Sequence, residues 1–165
     1  MKVIPDSSVL IALASIGKLE LIPEVFSEGN VIIPEAVHRE VVEEGKGRQG
    51  AEEVRNADWI SSREVSDRSQ VKLLKAQLDV GEAQVIALAD EINADLLLLD
   101  EKEAREIARE MDLRVLGTVG ILIRAKKGSL IDSLQKELEH LKNVANFRIG
   151  QTLYEKALAE VSEVD

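Results

Sequence analysis

The stretch that most constrains the fold runs from Asp95 to Arg105 and reads Asp-Leu-Leu-Leu-Leu-Asp-Glu-Lys-Glu-Ala-Arg. Four consecutive leucines do not suit a strand with one exposed face, because alternate residues of a strand point to opposite sides of the sheet. The run predicts a strand buried on both faces, as in a parallel sheet that is covered by helices. Asp100 then lies where this strand ends and a helical pattern begins. Ligands of open parallel sheets bind outside that edge.

The rest of the chain alternates short strands with helices. Further strands are predicted from apolar or β-branched runs at residues 2–4, 30–33, 59–65 and 114–116. The alternation predicts an α/β fold with a central parallel sheet. Helical patterns at 131–144 and 152–161 follow the last strand. We therefore expect an α/β domain over residues 1–128 and a C-terminal helical extension, 129–165, packed on the same domain.

Composition narrows the class of protein. A chain of 165 residues with 45% apolar and only 2% aromatic residues suits one domain with an aliphatic core. It contains no cysteine, no apolar run of membrane length and no apolar segment of a secretory signal, so we expect a cytoplasmic protein without a membrane partner. The net charge of -10 has the wrong sign for phosphate binding, unless bound cations reverse the local charge.

Two acidic residues, Asp6 and Glu40, lie at positions where a carboxylate could have a catalytic or metal-binding role. Asp6 follows the first strand and opens the first helix, where a helix N-cap explains it equally well. Glu40 falls within the apolar stripe of a predicted helix over 34–44, and a carboxylate directed at a core needs a cation or a metal. Alternatively, Glu40 lies at the edge of that stripe and reaches water.

Two further acids carry a structural alternative of their own. Glu82 and Asp79 have the spacing of a capping box, and so do Asp100 and Glu103. Each acid alone is ambiguous, but a parallel sheet can bring all four to one edge: Asp6, Glu40, Glu82 and Asp100. Crowded carboxylates raise one another's pKa, and a hard divalent cation with oxygen ligands, Mg²⁺ or Mn²⁺, would neutralise them. Such a site activates water and stabilises phosphoryl charge.

These acids belong to an ordered set of short motifs. The set is Asp6-Ser7-Ser8, Val37-His38-Arg39-Glu40-Val41, Gly81-Glu82-Ala83, Leu99-Asp100, Gly117-Thr118-Val119-Gly120, Ala125-Lys126-Lys127-Gly128 and Asn146-Phe147-Arg148-Ile149. Over nearly the whole chain it resembles the PIN-domain superfamily, in a poorly characterised prokaryotic branch. The resemblance implies a three-layer α/β/α fold and a metal-dependent ribonuclease related to the toxins of toxin–antitoxin pairs. The sequence departs from the pattern at Pro5, where an apolar strand residue is common, and at Glu82, where many relatives have Asp.

The resemblance also implies roles for individual residues. By position, the metal-binding acids would be Asp6, Glu40, Glu82 and Asp100, and Thr118 would place a hydroxyl near the metal or its water. The expected reaction is hydrolysis of an RNA phosphodiester with Mg²⁺ or Mn²⁺, and the expected partners are RNA and an antitoxin protein.

Other polar residues are candidates with strong structural alternatives. Ser7 and Thr118 would donate hydrogen bonds near the metal, unless they cap their helices. Five basic residues are candidate phosphate contacts, although such side chains are more often solvated surface or partners of a nearby Glu: Arg39, Lys46, Arg48, Lys102 and Arg105. The scarcity of aromatic residues argues against a platform that stacks bases.

Two other functions stay open. The first is a catalytically weak PIN-like module that binds nucleic acid or protein, which the acidic charge and Glu82 favour. In it, the periodic Leu134, Leu138 and Leu141 could form a homodimer seam or receive an antitoxin peptide, unless they pack against the chain's own sheet. The second is a small Mg²⁺-dependent α/β phosphatase-like or response-regulator-like domain. That class wants paired acids after the first strand and a lysine near the last, whereas only Asp6 follows the first strand here.

Overall fold

The structure is a computed structural model and describes residues 1–27 and 29–163. The strands within these residues are β1 Lys2–Pro5, β2 Asn30–Pro34, β3 Ile60–Arg63, β4 Leu96–Leu98 and β5 Val115–Leu116. The helices are α1 Ser7–Ser15, α2 Leu21–Val25, α3 Glu35–His38, α4 Ala51–Asn56, α5 Arg68–Leu74, α6 Val80–Ile92, α7 Lys102–Glu110, α8 Thr118–Lys127, α9 Leu134–Val144 and α10 Gln151–Glu160, with a π-helical turn at Arg39–Glu43 after α3. Glu28, Val164 and Asp165, which the predicted domain ranges include, lie outside the described residues.

The strands form one sheet in the order β3-β2-β1-β4-β5, and every pairing is parallel. The leucine run supplies β4, and its four side chains are at most 4% exposed. This burial confirms the prediction of a strand covered on both faces, which requires helices on each side of the sheet.

Two groups of helices cover the sheet. Helix α6 packs over β1, β2 and β4 and contacts α3 and α5. Helices α1, α2, α8 and α9 pack against one another. Because residues of β1 and β4 are buried on both faces, the two groups lie on opposite sides. The fold is therefore the expected three-layer α/β/α sandwich. Within the described residues, the helices are too short or too polar to cross a membrane.

The strand order creates a crevice at one edge of the sheet. The chain builds β1, β2 and β3 in one direction and then returns to add β4 and β5 on the other side of β1. The reversal lies between β1 and β4, and such a switch point opens a crevice beyond the carboxyl ends of the two strands. Residues that directly follow β1 and β4 therefore border the crevice.

The predicted helix over 34–44 is interrupted in the structure. Helix α3 ends at His38, and the π-helical turn follows, in which the Glu44 N–H donates to the Arg39 carbonyl five residues earlier (2.8 Å). The extra residue in the turn allows both Val41 and Val42 to be buried, whereas Glu40 is exposed. Of the two alternatives for Glu40, the structure therefore shows the one at the edge of the apolar stripe, in contact with water.

The leucine array of α9 is covered by the chain itself. Leu134, Leu138 and Leu141 are each 0% exposed, and α9 packs against α1 and α8. A seam for a second copy or for a peptide cannot use these three side chains in this fold. The division of the chain into a domain and an extension stays a prediction.

Candidate active site

The switch point brings the predicted acids to one cavity. Pro5 of β1 pairs with Leu98 of β4, and the Asp6 N–H donates to the Leu98 carbonyl at 2.9 Å, so the residues after both strands are neighbours. The first turn of α6 and the π-helical turn approach from the side. A cavity of about 540 Å³ is lined by all four predicted acids: Asp6, Glu40, Glu82 and Asp100.

Asp6 is the most buried of these acids, with 6% of its surface exposed. It occupies the N-cap position of α1, yet its side chain makes no capping hydrogen bond, so the structural alternative does not account for it. Burial raises the pKa of Asp6 to about 7. A hydrogen bond from the Ser7 backbone opposes this rise, and the nearby carboxylates of Glu82, Asp79 and Glu40 add to it.

Gly81 marks the point where three carboxylates converge. A Cβ atom at this position would lie 3.2 Å from Glu40 Oε2, 3.5 Å from Asp79 Oδ1 and 3.6 Å from Asp6 Oδ1. Glycine at the second residue of α6 therefore leaves a small space bordered by three acidic oxygens. Within the described chain, no lysine or arginine forms an ion pair with Asp6, Glu40 or Asp79.

Glu82 has both a structural and a site position. Its Oε1 accepts the Asp79 N–H at 3.2 Å, and Asp79 Oδ1 accepts the Glu82 N–H at 2.8 Å, so the capping box is formed. The side chain is nevertheless buried against the acidic cavity. Burial raises the pKa of Glu82. The hydrogen bond from the Asp79 N–H opposes this rise, and the negative charge of Asp79 adds to it. The capping box thus holds Glu82 at the cavity.

Asp100 is fixed by Thr118 rather than by a capping box with Glu103. Its Oδ1 accepts the Thr118 N–H at 2.7 Å and its Oδ2 accepts the Thr118 hydroxyl at 2.6 Å, whereas the N-cap position of α7 is Glu101. Burial raises the pKa of Asp100, and the Thr118 hydrogen bonds and the nearby Arg105 oppose this. Thr118 is 0% exposed and does not line the cavity, so it acts on Asp100 and does not cap α8.

Ser7 has a buried polar atom without a hydrogen-bond partner in the described part of the chain. Its Oγ is buried and accepts or donates no hydrogen bond within the part of the chain that the structure describes. Partial burial raises the pKa of Glu40, and the nearby Ser7 hydroxyl opposes this rise. It does not cap α1 and lines the acidic cavity, so it is available to a ligand there.

The predicted phosphate contacts are only partly near the acids. Arg105 lies beside Asp100, and both side chains approach the backbone of Gly117, where a Cβ atom would lie 2.9 Å from Arg105 Nη1 and from Asp100 Oδ1. Arg105 lines a neighbouring cavity and not the acidic one, and the other four candidates do not line the acidic cavity either: Arg39, Lys46, Arg48 and Lys102. Their role in phosphate binding stays a prediction.

The sequence interpretation missed several residues that line this cavity. It treats Asp79 only as the capping partner of Glu82, although Asp79 lies three residues from Glu82 in the sequence and could have been considered as a further acid of the site. Glu101 directly follows Asp100. Phe147 and Arg148 belong to one of the motifs but receive no role there, because a loop residue carries no periodic signal.

Comparison with known families decides the identity of the fold. The family model DUF3368, described as a PIN domain, matches residues 2–163. The chain belongs to the PIN-domain family. This confirms the resemblance inferred from the motifs, and PIN domains are in general nucleases that use divalent metals. No curated protein and no solved structure matches this PIN domain significantly.

The residues of this PIN domain fit a divalent cation in their chemistry. The cavity offers hard carboxylate oxygens, a space at Gly81 bordered by three of them, and an unpaired buried hydroxyl at Ser7. They do not form a preassembled inner ligand shell: in the described ranges, no three acidic or histidine side chains are close enough to hold an ion together. Mg²⁺ retains several waters when bound, so the donor set suits a hydrated ion.

Proposed function

We propose that this protein is a metal-dependent ribonuclease that hydrolyses RNA phosphodiester bonds at the acidic cavity. The observation that carries the proposal is the convergence of Glu40, Asp79 and Asp6 on the space at Gly81, without a compensating cation among the described side chains. Of these three acids, Asp6 is buried and has a raised pKa, and a buried carboxylate is costly in a fold unless a ligand neutralises it. Family membership supports nuclease chemistry as the reason for that cost.

Asp6, Glu82 and Asp100 would hold one or two Mg²⁺ or Mn²⁺ ions, directly or through water, with Asp79 as a further acid at the same space. The bound cation would supply a water of lowered pKa and neutralise charge on a non-bridging phosphate oxygen.

The chain's own side chains would then position the reactants. Glu40 is exposed at the margin of the cavity, where it would orient the attacking water and accept its proton. The water oxygen bonds to phosphorus, the bond from phosphorus to the leaving ribose oxygen breaks, and that oxygen takes up a proton from solvent. Thr118 would keep Asp100 in place through both carboxylate oxygens. Ser7 would donate its free hydroxyl to a ligand in the cavity.

Cleavage of a mixed RNA panel in Mn²⁺, with and without EDTA, tests the proposal. We expect wild type to cleave only with the metal and Asp100→Asn to lose at least about a hundredfold in rate, which is the scale of a lost metal or electrostatic contact. Asparagine has the shape of aspartate and can still accept the Thr118 N–H, so circular dichroism is expected to show an unchanged fold. Unchanged cleavage by Asp100→Asn would refute its assigned role.

A PIN-like module that binds nucleic acid or protein without cleaving is the second candidate. It is favoured by the absence of a preassembled group of metal ligands within the described residues and by the use of Glu82 Oε1 in a capping box. Under this alternative, neither wild type nor Asp100→Asn cleaves RNA, and calorimetry detects no heat of Mn²⁺ binding to either protein.

The roles of toxin, antitoxin partner, homodimer and cytoplasmic enzyme are finer proposals that rest on the resemblance. Co-expression with the product of a neighbouring small reading frame would test the first two. We expect such a product to relieve growth inhibition by wild type, and Asp100→Asn to be harmless without it. Sedimentation of the purified chain would test the dimer.

A further inference from the structure

The connection between α9 and α10 is fixed at both ends. We call residues 145–150 the strap; their sequence is Ala-Asn-Phe-Arg-Ile-Gly, and they form neither helix nor strand. The chain leaves α9 through Asn146, which has a left-handed φ of 52°, and the Phe147 N–H donates to the Leu141 carbonyl at 2.9 Å. At the other end, the Gly150 carbonyl accepts the Tyr154 N–H at 2.9 Å. The strap therefore begins at a hydrogen bond to α9 and ends at the first hydrogen bond of α10.

The strap forms one wall of the acidic cavity. Residues 145–148 line the cavity together with the four predicted acids. Phe147 and Arg148 also line a neighbouring cavity of about 290 Å³, which contains Asp100 and Arg105. Residues 146–150 and Lys142 border a third, more open groove of about 660 Å³. The strap thus lies between the acids and an outer groove that carries basic side chains.

Arg148 lies in an acidic setting and has no partner among the described residues. Six acidic residues line the cavity, and Arg148 is the one basic residue among its lining residues in the described chain. Its guanidinium nevertheless forms no ion pair or hydrogen bond with any described residue. A planar guanidinium binds phosphate through two parallel hydrogen bonds, so an unpaired one at this position is available to a phosphate beside the acids.

Phe147 supplies an aromatic face at the same place. The chain has only two phenylalanines, one tryptophan and one tyrosine, and this ring is half-buried and borders all three cavities. The low aromatic content argues against a platform for several bases. A single base next to the bound phosphate needs only one ring, and stacking on it does not depend on base identity.

We propose that the strap is the nucleic-acid-binding lip of the acidic cavity, in which Arg148 binds a phosphate next to the scissile one and Phe147 stacks on the adjoining base. The inference rests on the proposed ribonuclease function for its substrate, but not on cleavage. Lys142 also lines the outer groove, with its Nζ 5.1 Å from the centre of the Tyr154 ring.

Binding and cleavage measured separately test the strap. The probe is a fluorescein-labelled, single-stranded RNA of mixed sequence, followed by anisotropy with the full chain in EDTA and in Ca²⁺. We compare wild type with Arg148→Ala, Arg148→Lys and Phe147→Leu, the last of which retains an apolar side chain without a ring. Arg109→Ala is the matched control, because Arg109 is exposed in the last turn of α7, forms no ion pair with a described residue, and removes the same charge.

We expect Arg148→Ala to raise the dissociation constant at least about tenfold, with partial recovery in Arg148→Lys. We expect Phe147→Leu to raise it about five- to tenfold for single strands and to leave duplex binding unchanged. Where wild type cleaves, KM should rise in these variants more than kcat falls. Arg109→Ala should shift binding by less than about twofold.

Other outcomes overturn the strap or the function separately. If Arg148→Ala binds RNA as tightly as Arg109→Ala does, the proposed role of the strap in RNA binding is refuted, even if wild type is a nuclease. A gain of activity in Arg148→Ala also refutes it, since it would mean that Arg148 obstructs the acids. Strap-dependent binding without any cleavage supports the strap and removes the ribonuclease proposal. Failure of wild type to bind RNA refutes both.

Discussion

Replacing Asp6 with asparagine should make the metal-free protein more stable at pH 8. The carboxyl group is 6% exposed, and burial, followed by the charges of Glu82, Asp79 and Glu40, raises its pKa from 3.8 to about 7. Between pH 3.8 and about pH 7, the Asp6 carboxyl group therefore keeps its proton in the folded chain, whereas the same group in the unfolded chain has lost it. Stability from this group is fully present below pH 3.8 and is lost as the pH rises to about 7. Asparagine has no charge to desolvate.

The size of the effect follows from the two pKa values. At 1.36 kcal/mol per pKa unit, a rise from 3.8 to about 7 limits the cost of the ionised carboxylate to ~4 kcal/mol. Other carboxylates stand beside Asp6, so part of this cost belongs to the group of acids and not to Asp6 alone. We therefore expect Asp6→Asn to gain ~1–3 kcal/mol at pH 8 and less than ~0.5 kcal/mol at pH 4.

Urea unfolding followed by far-UV circular dichroism in EDTA, at pH 4, 6 and 8, measures this gain. Asp132→Asn serves as the control, since Asp132 is exposed and lies outside the acidic cavity. Mn²⁺ at about one hundred times its dissociation constant should add ~2.7 kcal/mol to wild type at pH 8 and nothing to Asp6→Asn. If Asp6→Asn is less stable than wild type at pH 8, or gains equally at pH 4, the carboxylate is not the desolvated group described here.

Three further substitutions test other parts of the site and its support. In Gly81→Ala, the new Cβ meets Glu40 Oε2 at 3.2 Å, at the end of a flexible side chain. We expect calorimetry to show Mn²⁺ binding weakened about tenfold, and urea unfolding to show stability unchanged or raised by up to ~1 kcal/mol. Unweakened binding would mean that the ion does not use this space. Thr118→Val removes the donor to Asp100 Oδ2 and should lower the free energy of unfolding by ~1–3 kcal/mol, whereas Thr118→Ser should retain most of it, and equal losses in the two would argue against the hydroxyl. Glu163 accepts the Leu134 and Gln135 N–H groups at the start of α9; partial burial opposes its ionisation, but these bonds outweigh burial and lower its pKa from 4.5. Glu163→Gln should therefore cost ~0.5–2 kcal/mol at pH 7 in urea unfolding, with the difference from wild type vanishing in acid, as the stability present above pH 4.5 is lost when the pH falls through the lowered pKa.

The sheet and most helices were predictable because their signals are periodic or continuous. The four leucines predicted β4, and the helical pattern at 131–144 includes α9. The π-helical turn was not predictable, since an apolar stripe at 36, 37 and 41 fits an uninterrupted helix equally well. An inward-facing Glu40 was therefore one of two open alternatives, and the structure places this residue at the margin. The strap was also missed, because loops have no period by which a functional residue can be distinguished from a connecting one.

The acids show why the structural and the chemical interpretations of one residue need not compete. The sequence left a choice between a capping box and a site for Glu82, and the structure contains both, since Oε1 accepts the Asp79 N–H while the side chain borders the cavity. Asp100 is held through both oxygens by Thr118 and still lines the same space. A carboxylate that is fixed by backbone and hydroxyl donors keeps further lone pairs for a cation, and it loses less conformational entropy when the cation binds. Local hydrogen bonding is thus a means of placing these acids, and evidence for it does not count against a role in catalysis.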